Sequence, residues 1–228
     1  MQEVDLAQVS VRALNQALHE APRSGAPSHW IVENPRGRHA IAVGVDRPAT
    51  IEIRGHVGYY CGGMNQHAEL TIHGNAGVGV GENMMSGRIH VKGDASQSAG
   101  ATAQGGLLVV DGNAGARCGI SMKGVDIVVK GTVGHHSAFM AQAGRLAVLG
   151  DAGEALGDSL YEARLYVRGS VRSLGADCVE KEMRPEHLAE LAALLKAAGA
   201  TDVDPADFRR YGSARRLYHF EIDNLASY

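Results

Sequence analysis

The sequence has little of what most binding and catalytic classes require. Its formal net charge is −3, and no basic stripe runs along it, which argues against nucleic acid and anionic membrane as partners. No stretch approaches the ~18 consecutive apolar residues of a membrane span. The start, Met1-Gln2-Glu3-Val4-Asp5, has no positive segment followed by an apolar one, so it does not read as a signal peptide and the expected location is the cytoplasm. There are three cysteines, and no C-x-x-C or H-x-x-x-H, so a zinc site is not expected. The carboxylates Glu82, Glu154 and Asp158 sit at glycine-turn positions with nothing to pair them. No nucleophile stands beside a base. The glycines of Gly77-Val78-Gly79-Val80-Gly81 look like a phosphate loop only out of context, because they do not open a helix after a lone strand. These absences predict a chain with no catalytic, cofactor-binding or metal-binding residues of its own.

What is present is a repeat. Gly55, Gly74, Gly93, Gly112, Gly131, Gly150 and Gly169 follow one another at a spacing of 19 residues without a slip. Three residues after these anchors stand Gly58, Gly77, Gly115, Gly134 and Gly153, and seven after them Gly62, Gly81, Gly100, Gly119 and Gly157. The unit is G-x-x-G-x-x-x-G, and a short period held this tightly means a solenoid. Four and two residues before each anchor the chain alternates apolar residues, from Ile51/Ile53 and Leu70/Ile72 through to Leu165/Val167, the pattern of a half-buried strand. Two residues after each anchor comes a small apolar residue: Val57, Ala76, Ala95, Ala114, Val133, Ala152 and Val171. Each coil is therefore a strand, a glycine turn and a tightly packed small residue, with glycine supplying positive φ and close backbone approach at the corners. The reading is all-β, a single-stranded right-handed parallel β-helix of about seven coils and about 34 Å; spacing by itself does not fix the hand. Leucine-rich, hexapeptide and calcium-binding nonapeptide solenoids fit worse, the last because no aspartate column occupies the turns. Cys61 and Cys118 share one phase three coils apart, roughly 14 Å, beyond the ~7 Å a disulfide tolerates, and read as small buried hydrophobes.

The repeat divides the chain into a cap over residues 1–50, the β-helix over 51–183, and a helical extension and arm over 184–228. In the cap, Ser10 is the expected N-cap of an amphipathic helix to Glu20, with Val11, Leu14 and Leu18 on its apolar face. His29–Val32 and Ala40–Val43 read as strands off the 19-residue register. In the extension, Arg184-Pro185-Glu186-His187 opens a helix with a Leu188, Leu191, Leu194, Leu195 stripe ended by Gly199, and Asp204-Pro205 starts a second, short one. Residues 215–222 read as a strand or extended arm. Met64, Met84, Met85, Met122 and Met140 gather in loops that follow the third glycine column; they either form an adaptable contact surface or fill the coil. Met64, Asn65, Glu82, Asn83, Met84 and Met85 are one candidate subunit interface, and Arg209, Arg210, Arg215 and Arg216 another.

Non-glycine motifs accompany the coils: His56 to Asn65, Asn34-Pro35-Arg36-Gly37-Arg38-His39, Glu82 to Gly87, and Ser137 to Gly144. Over about residues 29–183 the chain resembles the GXGXG β-helix domain at the C-terminal end of the glutamate synthase large subunit. The tail from Phe208 to Arg215 is similar to the stand-alone β-helical subunits of split complexes, the middle subunit of N-methylglutamate synthase (methylamine–glutamate N-methyltransferase) in particular. The resemblance implies a non-catalytic scaffold that bridges a glutamine amidotransferase-like subunit and a subunit carrying FMN and an iron–sulfur cluster. The complex would make N-methyl-L-glutamate and ammonia from methylamine and L-glutamate. Two rivals share the coil: the subunit of a glutamate-synthase-like complex serving another amine, and the β-helical subunit of a formylmethanofuran dehydrogenase or formyltransferase–hydrolase complex. A third is an unattached structural rod.

Overall fold

A computed structural model describes residues 1–217. The core is a parallel β-solenoid whose rungs are β3 (Ala49–Arg54), β4 (Glu69–Ile72), β5 (Arg88–Val91), β6 (Leu107–Val110), β7 (Lys123–Val129), β8 (Ala143–Val148) and β9 (Arg164–Val167). The register is the one the glycines set, with Ile51, Leu70, Ile89, Leu108, Ile127, Leu146 and Leu165 paired in one ladder. Their side chains all lie in the coil interior, each contributing about 1.5–3 kcal/mol on burial. The small column forms a second ladder of single parallel bridges from Val57 through Ala76, Ala95, Ala114, Val133 and Ala152 to Val171.

The glycine columns do different jobs. At Gly77 a Cβ would sit 2.5 Å from the carbonyl carbon of Gly58 one coil below, so that column permits close stacking. Gly81 instead takes φ +66°, as do its equivalents in the third column at closely similar values. The anchor column is again one of close approach: only Gly55 within it has positive φ. The sequence reading assigned both properties to the corners together, and the structure separates them. Two further left-handed columns are mostly not glycine. Five residues past the anchors stand Tyr60, Ser98, Arg117, His136 and Ala155 (φ +55° to +61°), and nine past stand Met64, Asn83, Thr102, Ser121, Met140 and Ser159 (φ +51° to +57°). A left-handed residue costs roughly 1–2 kcal/mol. Here each donates its N–H to the coil above, as in Met64 N to Glu82 O (2.8 Å) and Asn83 N to Ala101 O (2.9 Å), which helps offset the strain.

The residue after each anchor builds a polar ladder that the sequence reading missed. The Asn75 N–H donates to His56 Nδ1 (2.9 Å), Asp94 N–H to Asn75 Oδ1 (3.0 Å), Asn113 N–H to Asp94 Oδ1 (2.7 Å) and Thr132 N–H to Asn113 Oδ1 (2.9 Å). After a break between Thr132 and Asp151 the same contact returns, with Ser170 N–H donating to Asp151 Oδ1 (2.7 Å), and that hydrogen bond holds the Asp151 carboxyl below its usual range.

At the N-terminal end, β2 (Ser28–Glu33) adds a rung parallel to β3, with Trp30 against Ile51 and Val32 against Ile53. β1 (Gln2–Asp5), which the sequence reading did not anticipate, pairs in parallel with β2. Between them runs α1 (Val11–Glu20), capped by Ser10 Oγ accepting from Ala13 N at 3.1 Å, with Leu14 and Leu18 buried. Residues 40–43 are not a strand. Ala40 and Ala42 are left-handed, and Asn15 of α1 pins them, donating to Ala40 O and accepting from Ala42 N, both at 2.8 Å.

At the other end the chain leaves the parallel pattern. β10 (Cys178–Lys181) follows the last rung, then α2 (Pro185–Ala197), a single 3₁₀ turn (Pro205–Asp207) capped by Asp204, and β11 (Arg209–Ser213). β11 inserts antiparallel between β9 and β10, so the sheet order ends β9-β11-β10. This covers the edge that an open solenoid would leave for aggregation. The strand expected over residues 215–222 is displaced: the strand of this region is Arg209–Ser213, and Tyr218 onward lies outside the described residues. Between β6 and β9 the outward column is Val109, Val128, Ala147 and Tyr166, all buried, and α2 covers it with Leu191, Leu194, Leu195 and Ala198 in a second core closed by Phe208.

Candidate partner-contact surfaces

The methionine loops split between surface and interior. Met64, Met85 and Met140 are 42%, 41% and 37% exposed, while Met84 and Met122 are fully buried. The loops are turns of the coil itself, and the one that holds Met122 runs directly into β7 at Lys123. Asn65 is also fully buried: its amide donates to Ala68 O (2.9 Å) and Ser86 O (3.1 Å), joining two coils. Glu82 and Asn83 are half-buried, with Asn83 Oδ1 accepting from Thr102 Oγ1 at 2.6 Å. Of this first candidate interface, Met64 and Met85 offer exposed apolar surface, and Asn65 and Met84 serve the coil.

The four arginines of the second candidate do not form one patch. Arg209 and Arg210 are neighbours on β11 and take opposite faces. Arg209 donates to Gly169 O (3.1 Å) and lies 6.0 Å from the Tyr211 ring centre. Arg210 Nε donates to Glu182 O (3.0 Å). Arg215 meets Glu162 at 2.9 Å. The Arg216 N–H donates to Asp177 Oδ1 (3.0 Å). Arg210 and Arg215 line a cleft of about 340 Å³ together with Arg164, Lys181 and Arg184, which the sequence reading did not single out. The signal was obscured because these three come from different elements, brought together only by the antiparallel insertion of β11. Beside the cleft, Glu190 of α2 pairs with Arg164 and accepts from the Tyr166 hydroxyl at 2.7 Å, and burial with this carboxylate pushes the phenol pKa up.

Chemistry of the nucleophilic kind finds no support in the thiols. Cys61, Cys118 and Cys178 are free and buried, and burial raises each pKa to about 12, leaving almost no thiolate at neutral pH. Among the described residues, no group of three or more His, Cys, Asp or Glu side chains could hold a metal ion. Among them, too, no helix is long and apolar enough to cross a membrane.

The family model described as the GXGXG motif matches residues 37–196. The chain belongs to the GXGXG motif family. Its coil of residues 77–81 spells that motif, and the structure gives each glycine a reason: close approach at Gly77, positive φ at Gly79 and Gly81. This GXGXG chain is 60% identical over 228 residues, all of both chains, to Protein GlxC of Rhizobium meliloti (strain 1021). Its fold is similar to a chain in the X-ray crystal structure of the formyltransferase/hydrolase complex (FhcABCD) from Methylorubrum extorquens in complex with methylofuran. The TM-score is 0.52 at 20% identity, over 87% of this chain and 85% of that one. At that identity the likeness establishes the fold and nothing about activity.

Proposed function

We propose that this GXGXG chain is a non-catalytic scaffold subunit of a glutamate-synthase-like complex, of the N-methylglutamate synthase type. The observation that carries the reading is the solenoid itself: the family motif matches residues 37–196, most of which form one stack of hydrogen-bonded parallel rungs with the thiols buried inside it. A stack tied by two ladders and by the polar column resists bending, so it suits holding two larger subunits at a fixed distance. Fixing the geometry between reacting sites can supply several kcal/mol of a barrier. On this reading the partners are a glutamine amidotransferase-like subunit and a subunit holding FMN and an iron–sulfur cluster. The overall reaction is methylamine plus L-glutamate to N-methyl-L-glutamate plus ammonia, and this chain contributes no group to the chemistry.

The test is reconstitution. The purified chain alone is expected to be colourless and inactive. Added to its two cognate subunits, it should assemble with them and restore flavin-dependent formation of N-methylglutamate, while its omission abolishes turnover and leaves the flavin bound to its own subunit. Full turnover by the two partners alone would refute the scaffold reading. Turnover of a different amine by the three together would keep the scaffold and change the substrate.

A further inference from the structure

The cleft beside the N-terminus of α2 has a charged lining made mainly of cations. Its lining carries five fixed cations, Arg164 of β9, Lys181 of β10, Arg184 at the helix cap, Arg210 of β11 and Arg215, against one carboxylate, Glu162. Several of the cations already have carboxylate partners: Arg164 has Glu190, Arg184 has Glu182 at 3.1 Å and Glu186 at 3.9 Å, and Arg215 has Glu162. Two are not. Among the described residues, no carboxylate lies within ion-pair distance of Lys181 or Arg210, and Arg210 has only the Glu182 carbonyl. Burial, with the crowding of Arg164 and Arg184, lowers the Arg210 pKa. His187, on the same lining, is held below its usual range by burial and by Arg210, so it adds no compensating charge of either sign at neutral pH. Excess positive charge is thus concentrated here on a chain whose net charge is −3.

Resting on the subunit reading only in supposing that a partner chain exists, we propose that this cleft is a docking site for an acidic segment of a partner subunit. The lining favours a segment over a free small anion. The side chains of Arg164, Arg184 and Arg215 are 48%, 59% and 61% exposed, and solvent screening makes a single ion pair at such a site worth little. A segment presenting several carboxylates along one backbone engages the cations together, each contact raising the effective concentration of the next. Guanidinium forks suit the purpose, since each can take a carboxylate in two parallel hydrogen bonds. The cleft lies on the outer face of the sheet next to α2, where Arg210 pairs in register with Tyr166, so a segment seated there leaves the solenoid interior undisturbed.

The experiment uses the full chain and a labelled hexaglutamate peptide, read by fluorescence anisotropy, with hexalysine as the opposite-charge probe. Hexaglutamate should bind, and its affinity should fall as salt rises from about 50 to 300 mM. The Lys181→Glu/Arg210→Gln variant should weaken it by at least about tenfold, with Arg12→Glu on α1, equal in charge change to Lys181→Glu alone, as the control that leaves binding intact. Lys181→Glu by itself covers the case in which the double variant melts early, because among the described residues the Lys181 ammonium has no carboxylate partner to lose. Absence of hexaglutamate binding, equal loss in Arg12→Glu, or competition by free glutarate as effective as the peptide would each overturn the proposal, the last by making the cleft a small-anion site. With the cognate subunits, Lys181→Glu should weaken assembly in the same order. A variant that assembles and supports turnover as well as the natural chain would sink the acidic dock and leave the scaffold reading standing. Dispensability of the whole chain would instead sink the scaffold.

Discussion

The outer face of the solenoid has two halves built on one interior. Along β3 to β5 its outward column is Glu52, Thr71 and His90, half-buried side chains with polar contacts such as Glu52 to His73 Nε2 at 3.6 Å. Along β6 to β9 the same column is Val109, Val128, Ala147 and Tyr166, all fully buried beneath α2. The inward ladder does not change between the halves. The glycine repeat therefore sets the coil, and the outward column alone decides where the extension packs. Arg88 marks the seam: its guanidinium donates to Ala197 O (2.7 Å) at the end of α2, a cation where the helix dipole is negative.

The sharpest way to break this comparison is to place one charge in each half. Val128→Asp buries an unpaired carboxylate under α2 and should cost roughly 4 kcal/mol or more. Thr71→Asp, in the same column of the open half, should change stability within about 0.5 kcal/mol. Urea titration of both variants decides it, and comparable losses would mean that the open half is covered as well. Next in size, Leu194→Ala strips packing from α2 without touching a rung and should cost about 2–5 kcal/mol, with increased binding of a hydrophobic dye as the outer face of β6 to β9 is uncovered. A loss without any dye binding would show that the helix is held by its ion pairs with Glu190 instead.

The interior should behave alike in both halves. Ala76→Phe and Ala114→Phe overpack the same small column in the open and covered regions, and each should cost about 1–3 kcal/mol. Lys123→Ala, an exposed residue at the start of β7, should shift the melting temperature little. If Ala76→Phe were tolerated like Lys123→Ala, the stacking would be looser in the open half than its ladder of bridges indicates.

These contrasts also mark what was legible in the sequence. The register of the inward ladder was, because a 19-residue period leaves no freedom in which Ile51 pairs with anything but Leu70, while the shift between Lys123 and Asp126 against β8 was not. Also legible were α1, α2 and the cap at Ser10, which are local signals, while the short helix expected from Asp204-Pro205 is a single 3₁₀ turn. The polar ladder was visible as Asn75, Asp94, Asn113 and Asp151 at one phase, but a mixed Asn/Asp/Thr column does not look like a repeat until the N–H groups above it are located. The switch from Glu52, Thr71 and His90 to Val109 and Val128 was likewise in plain view and announces a covering element without saying which. β11 could not be read: its placement between β9 and β10 is an antiparallel pairing across some forty residues that no periodicity encodes. With it went the cleft, whose cations come from four separate elements.

The smallest expected effect is at the seam itself. His90 is the last polar residue of the outward column, with Nε2 at 2.9 Å from Asp111 Oδ1, while Lys130 at 2.8 Å and Lys92 at 3.6 Å share the same carboxylate. Burial lowers its pKa; Asp111 opposes this, and Lys92 and Arg88 reinforce it. A histidine whose folded pKa lies below the unfolded value binds fewer protons when folded, so stability must rise with pH across the interval between the two. The contribution is fully present above the ordinary histidine pKa and is lost as pH falls through the lowered folded value. His90→Gln, which keeps a hydrogen-bonding group and cannot charge, should flatten the stability–pH curve on the acid side of that ordinary pKa while leaving it unchanged above. Asp111 also titrates in acid, since its carboxyl is held low by Lys130 and His90, so the comparison is read above the carboxylate range. Curves that overlay across the whole interval would place His90 with the solvated residues of the open half, whereas a curve that steepens would mean that the Asp111 pair outweighs burial and that the covered region begins after β5.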